Sequence, residues 1–193
     1  MKIVNQAFRL FLILTLITGL VYPLIVTVLG YAFCPSQADG SLVLREGKVI
    51  GSSLICQKFI GKRYFWARPS AVDYNPLPSG GSNQGMTSAL LDSAVGKRRR
   101  ALTGANPGSE RVPSDLLFAS GSGLDPDISP EAARFQVDRV AAARGLDNEE
   151  KIELIKLVEE HIKEPDFGIL GEPRINVLML NLALDSTFVD NGQ

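Results

Sequence analysis

The sequence predicts an α/β protein: one N-terminal transmembrane helix followed by a single mixed α/β extracytoplasmic domain. Three observations predict it. No charged residue stands between Leu10 and Ala38, all 21 acidic side chains lie from Asp39 onward, and the rest of the chain alternates short β-like runs with well-bounded helical ones.

The span comes first. A bilayer's hydrocarbon core is about 30 Å thick and takes about 20 helical residues to cross. Leu10 to Phe33 supplies 24, nearly all Leu, Ile, Val, Phe, Thr or Gly. This is longer than the apolar region of a cleaved signal peptide, so the span is expected to stay in the mature chain. Pro23 removes one backbone donor in mid-span and frees the Gly19 carbonyl, with Thr15 and Thr18 close enough to satisfy it. It reads as a tolerated kink or as one shaped to fit partner helices. Lys2 and Arg9 precede the span with no acidic residue among them, which favours a cytoplasmic N-terminus. The expected layout is residues 1–9 cytoplasmic, 10–33 in the lipid bilayer and 34–193 extracytoplasmic.

The polar domain is read in order. Ser41–Arg45 and Lys48–Ser52 flank Glu46-Gly47, a hairpin signal. Tyr64–Ala67 reads as a short aromatic strand closed by Arg68-Pro69, and Tyr74–Gly85 as a long Pro/Ser/Gly/Asn loop of the functional or mobile kind. Ser88–Leu102 reads as a helix with Leu91, Val95 and Leu102 on its apolar face. A second polar turn region follows at Ser120-Gly121-Ser122-Gly123-Leu124-Asp125-Pro126. Ser129 suits a helix N-cap, Pro130 the first helical position and Glu131 the positive end of the dipole, with Gly145 as the stop. Asp147 and Glu150 cap a further helix with the stripe Leu154, Ile155, Val158 and Ile162, ended by Pro165. Ile175–Leu184 reads as an apolar strand bearing Asn176 and Asn181. The two adjacent helices are expected to pack on a modest sheet.

Several function classes are excluded. Without Lys2 and Arg9 the 20 basic residues fall to 18 against 21 acidic, a net charge of −3, and nucleic acid would call for a basic face. Lys97-Arg98-Arg99-Arg100 is the only basic cluster and reads as a solvated helix face, or as a surface for an anionic partner or lipid. No glycine-lysine pair has the phosphate-cradling spacing, and Ser122 lacks the flanking glycines of a nucleophile elbow. One histidine and two distant cysteines do not make a zinc site, so no metal is expected. Cys56 reads as a buried small hydrophobe. His161 reads as a surface residue near a helix end. No catalytic set is found. Arg68 bonds the nearby polar loop or pairs with a partner subunit. Two other readings stay open: an anchored extracytoplasmic hydrolase with Ser120 or Ser122 as nucleophile, and a solute-binding domain using the oxygens of Ser79–Asn83 and Ser120–Asp125.

Several runs in order then resemble the C subunit family (KdpC) of the Kdp potassium-transporting P-type ATPase. They are Gly51-Ser52-Ser53-Leu54-Ile55, Tyr64-Phe65-Trp66-Ala67-Arg68-Pro69-Ser70-Ala71, Ser79-Gly80-Gly81-Ser82-Asn83, Val112-Pro113-Ser114-Asp115-Leu116, Ala119–Ser129, Gly171–Leu178 and Asn181–Asp185. Cys56, Gln84 and Asp127 depart from the pattern, where the family has Gly, Leu and His. The resemblance implies a non-catalytic subunit of a bacterial inner-membrane pump, partnered by a channel-like A subunit and an ATP-hydrolysing B subunit. It also implies a catalytic chaperone that raises the B subunit's affinity for ATP, binding no cofactor alone and meeting ATP only through the complex. A glutamine is proposed in that family to touch nucleotide, and Gln136 is the nearest candidate. Pro23, Arg68, Ser79, Gly80, Gly81, Ser82, Asn83, Ser120, Gly121, Ser122, Gly123 and Asp125 are the expected partner-interface residues. A domain outside the membrane would act on ATP affinity indirectly, by favouring one pump conformation.

Overall fold

A computed structural model describes residues 1–107 and 111–188, and the chain divides into two compact units, Met1–Ser52 and the residues from Ser53 on. In the first unit, α1 (Lys2–Leu16) and α2 (Tyr22–Phe33) run through a π-helical turn at Ile17–Val21, giving one continuous helix long and apolar enough to cross a membrane. The π turn lies just before Pro23, where Tyr22 N–H reaches back five residues to Ile17 O. Thr18 Oγ1 donates to Leu14 O at 2.7 Å. A proline removes a helix hydrogen bond and a wider turn is a usual adjustment beside it, but the Thr18 hydroxyl serves Leu14 O and not the Gly19 carbonyl expected from the sequence. The short α3 (Pro35–Ala38) follows. Then β1 (Leu42–Arg45) and β2 (Lys48–Ser52) pair antiparallel around Glu46-Gly47, both at positive φ, as the hairpin signal predicts.

The second unit is mainly helical, with α4 (Ala89–Ala105), α5 (Ser114–Leu117), α6 (Pro130–Arg144), α7 (Asn148–Glu160) and α8 (Val177–Thr187). Its strand content among the described residues is β3 (Asp127–Ile128) paired antiparallel with β4 (Ile175–Asn176). The expected modest sheet is therefore corrected to two separate two-stranded pieces, one in each unit. The expected strand at Ile175–Leu184 is a helix after its first two residues. Val177, Leu180, Asn181 and Leu184 are buried, a spacing of three and four that lines one face of a helix. Asn176 is its N-cap, accepting from Met179 N at 3.1 Å.

The capping signals elsewhere hold. Ser88 Oγ accepts from Leu91 N to start α4, and Ser129 Oγ from Ala132 N to start α6. Gly145 closes α6 at φ +70°, a conformation glycine adopts without a Cβ penalty. Asp147 and Glu150 form a reciprocal capping box on α7, which ends at Glu160, ahead of Pro165. On α7, Leu154 and Val158 are fully buried and Ile155 stays exposed, while Ile162, half-buried, lies beyond the helix end rather than on its stripe.

The core gathers on α6. Ala132, Ala133, Phe135, Gln136, Val137, Arg139, Val140 and Ala141 are all buried, so this helix is covered on most of its circumference, with α7 packed beside it and α8 against α7. Arg134 grips Glu159 with two bonds of 2.6 Å across the α6–α7 seam. Replacing Asp147 with Ala removes the α7 cap, and a stability loss of about 1 kcal/mol is expected; a thermal melt followed by circular dichroism checks it.

Candidate functional site

The extended segment Tyr64–Ala67 crosses the core, with Phe65 fully buried and Ala67 nearly so, yet no strand among the described residues lies beside it. Buried backbone groups need partners, and here side-chain amides from two helices supply them. Asn181 of α8 accepts from Phe65 N (2.8 Å) and donates to Phe65 O (3.0 Å). Gln136 of α6 accepts from Trp66 N (2.7 Å) and donates to Trp66 O (3.1 Å). Each amide presents one donor and one acceptor, as the edge of a neighbouring strand would. The aromatic strand expected from sequence is thus an irregular extended segment with two amides in place of a partner.

Arg139, one helical turn beyond Gln136, is 4 % exposed and anchors the same segment. Its Nη2 donates to Gln136 Oε1 (2.7 Å), its Nε to Asn106 Oδ1 (3.2 Å), and its Nη1 to the carbonyls of Tyr64 (3.0 Å) and Lys62. Its guanidinium lies 3.8 Å from the centre of the Trp66 ring, a cation–π contact. All these acceptors are neutral, and burial pushes the guanidinium down to about 10, which still leaves it charged at neutral pH. Arg144 repeats the arrangement at the end of α6. It donates to Arg63 O (2.9 Å) and to Asp185 (2.5 Å), whose carboxylate also accepts from Tyr64 Oη at 3.3 Å.

The two Ser/Gly loops, separate in sequence, meet in the fold. A Cβ on Gly81 would stand 3.0 Å from Gly121 O. One on Gly123, at φ +70°, would stand 2.7 Å from Val72 Cγ2 and 2.8 Å from Gly80 O. Ser120 N–H donates to Pro69 O (3.1 Å), and Arg68 pairs with Asp125 at 2.9 Å, so Arg68 does bond the polar loop. Tyr74 Oη donates to Arg68 O (2.9 Å), and burial, with Cys56 and Asp73 nearby, pushes its phenol up to about 12.

Beside this contact Asp115, Asp125, Asp127, Arg68 and Arg174 line a recess of about 400 Å³. Its three aspartates already accept from the chain: Asp115 from Ser129 N (2.8 Å), Asp125 from Asp127 N (3.1 Å), Asp127 from Asn176 Nδ2 (3.3 Å). Burial and the Asp125 charge hold Asp127 above the ordinary carboxylate range. The Cys56 thiol is buried, as the sequence suggests, and burial with Asp125 and Asp127 nearby pushes it up to about 12. Cys34 is exposed and both cysteines are free.

The remaining candidates fall outside this cluster. Ser120 is 2 % exposed, and the Oγ of Ser122 accepts from Leu124 N at 3.1 Å. His161 caps the end of α7, its Nδ1–H donating to Leu157 O at 2.8 Å. No group of three His, Cys, Asp or Glu side chains among the described residues is arranged to hold a metal. Ser79, Ser82 and Asn83 are exposed, and Pro23 lies in the apolar helix. Of the basic run, Arg98 donates to Leu117 O (2.8 Å), and Arg99 faces a cleft of about 1050 Å³ with Arg111 and Glu131. Gln136 is fully buried, and both polar atoms of its amide are engaged by Trp66, Ala132 and Arg139. Asn106, Arg139 and Arg144 are bracing residues that the sequence did not mark, and Asn181 stood out only as a polar residue in an expected strand. The signal within reach was Asn181, a polar amide inside the apolar run Leu178–Leu184.

Among the described residues one helix is long and apolar enough to cross a membrane, and it precedes a domain whose polar side chains turn inward to brace its own backbone, the plan of a membrane-associated protein. Residues 4–186 match the family described as K+-transporting ATPase, c chain (KdpC). The chain is 48 % identical over 188 residues to a protein of Leptospira interrogans (97 % of this chain, 96 % of the relative). It is 52 % identical over 180 residues to one of Methylibium petroleiphilum (91 % and 93 %), and 51 % over 190 residues to one of Variovorax paradoxus (96 % and 97 %). Each of the three is named potassium-transporting ATPase KdpC subunit. The chain belongs to the KdpC family.

Two outcomes test this geometry. Gln136→Leu strips partners from Trp66 N, Trp66 O and Arg139, and at about 1–3 kcal/mol for each buried group left unsatisfied a loss of roughly 3 kcal/mol or more is expected. Denaturation followed by the emission of the sole tryptophan, Trp66, measures it. Asp127 holds its proton more tightly folded than unfolded, so its contribution to stability is complete below the ordinary carboxylate range and is lost as pH rises through its raised value. Asp127→Asn is therefore expected to raise the melting temperature at pH 7 and to leave it unchanged below the ordinary carboxylate range.

Proposed function

We propose that this chain is the accessory subunit of a high-affinity, ATP-driven potassium uptake pump. One observation carries the reading: membership of the KdpC family across nearly the whole chain, including the apolar helix. Its partners in this reading are the channel-like A subunit, which carries the ion, and the ATP-hydrolysing B subunit. The N-terminal helix anchors it in the cell membrane with Lys2 and Arg9 on the cytoplasmic side and the domain outside.

The subunit acts by holding the assembly in one arrangement and raising the B subunit's affinity for ATP indirectly. A domain that binds one pump conformation better than another shifts that equilibrium by the difference in its binding free energies, with no contact to nucleotide required. The inward-turned amide of Gln136 supports the indirect route, because meeting a nucleotide would mean giving up its bonds to Trp66 and Arg139. The interface is proposed at the joined Ser/Gly loops, where Ser79, Ser82, Asn83, Gly121 and Ser122 are exposed on a backbone-to-backbone base.

Deleting this chain is expected to abolish growth at limiting potassium, with rescue by the plasmid-borne gene; undiminished growth would refute the role. The sidedness has its own test. Lys156 is exposed on α7, and Lys156→Cys in a Cys34→Ser background is expected to react with a membrane-impermeant maleimide from outside the cell. Labelling only after the membrane is opened would put the domain inside.

A further inference from the structure

Between α7 and β4 the chain makes a hairpin whose tip turns its apolar side chains outward. Its base is closed by Lys163 N–H to Arg174 O (2.8 Å) and Arg174 N–H to Lys163 O (3.0 Å). Asp166 and Leu170 exchange two further bonds of 2.9 Å, and Arg174 reaches Asp166 at 3.4 Å. The tip is thus held by its own backbone. It carries Phe167, Ile169 and Leu170, which are 92 %, 81 % and 57 % exposed.

Phe167 adds a second observation. It stands at φ +58° with Gly168 at φ +74°. These are the two left-handed positions of a tight turn that Asn-Gly or Gly-Gly would fill without strain. For a bulky residue that conformation is an outlier that costs energy, and residues held in it cluster at functional sites. Phe167 buries almost nothing within its own chain to offset it.

We infer that the Phe167–Leu170 tip is a docking knob that inserts into an apolar recess on another subunit of the same pump. The inference rests on the proposed membership of that complex. The surrounding charge favours a protein over a bilayer surface. Membrane-surface segments rely on clustered Lys and Arg. Here Glu164, Asp166 and Glu172 outnumber Lys163 and Arg174, and Arg174 is already engaged by Asp166 and Asp127. The recess that fits would be lined by apolar side chains and rimmed by basic or neutral ones.

Phe167→Gly is the discriminating variant, because glycine suits the left-handed turn and removes only the side chain. In full-length chain co-expressed with the other pump subunits and solubilised in mild detergent, recovery of those subunits on the tagged variant is expected to fall at least tenfold. The variant's melting temperature is expected to equal or exceed that of the unmodified chain. A benzophenone amino acid placed at position 167 is expected to cross-link, in native membranes, to another pump subunit. Undiminished recovery, a lowered melting temperature, or cross-links to lipid alone or to nothing would each overturn the docking knob. If the unmodified chain itself recovers no other subunit, it is membership of the complex that fails.

Discussion

A buried extended segment must find a hydrogen-bond partner for each peptide group, and among the described residues no strand is placed to serve Phe65 and Trp66. Asn181 and Gln136 take the place of that strand from two different helices. Because α6 and α8 must both present an amide at the right height, their rotation and separation are fixed by the segment between them. Arg139 adds a third constraint. It bonds Gln136, Asn106 and the carbonyls of residues 62 and 64 while lying against the Trp66 ring, so one guanidinium joins the end of α4, the middle of α6 and the aromatic segment.

Such a brace differs from a hydrophobic core in what it tolerates. Apolar packing absorbs volume-conserving exchanges with modest loss. A buried amide that serves a peptide donor and a peptide acceptor has no such substitute, since removing it leaves backbone groups without partners. The same bracing continues into Arg68–Asp125 and the glycine contacts between residues 80–81 and 121–123, where a Cβ on Gly81 or Gly123 would press on the facing backbone. The outcome is a stiff domain with two polar loops locked together. That suits the role proposed for it, since a flexible domain would lose more entropy on ordering at each contact.

Local signals were legible in the sequence wherever one residue type has one strong local reason to be there. Ser129-Pro130 with Gly145, and Asp147 with Glu150, mark helix ends through hydrogen bonds made within four residues. Glu46-Gly47 marks the hairpin, and the charge-free run from Leu10 marks the span. Ile175–Leu184 misled because Asn176 and Asn181 look like interruptions of an apolar strand. One is a cap and the other a brace, and telling them apart requires knowing where residues 65 and 66 pass. Nothing local marked Gln136 and Arg139 as braces, since polar residues in mid-helix ordinarily face water.

The sequence by itself determined the long apolar helix, the capped ends of α6 and α7, the hairpin at Glu46-Gly47 and the family. Each of these is read from short-range chemistry or from residues kept in order along the chain. Only the tertiary structure decided that the aromatic segment has amides for neighbours, that the two Ser/Gly loops are one contact, and that Phe167 stands exposed on a strained turn. Those features join residues up to 116 positions apart. The pairing of a side-chain amide with a distant peptide group leaves no periodicity or spacing in the sequence that would announce it.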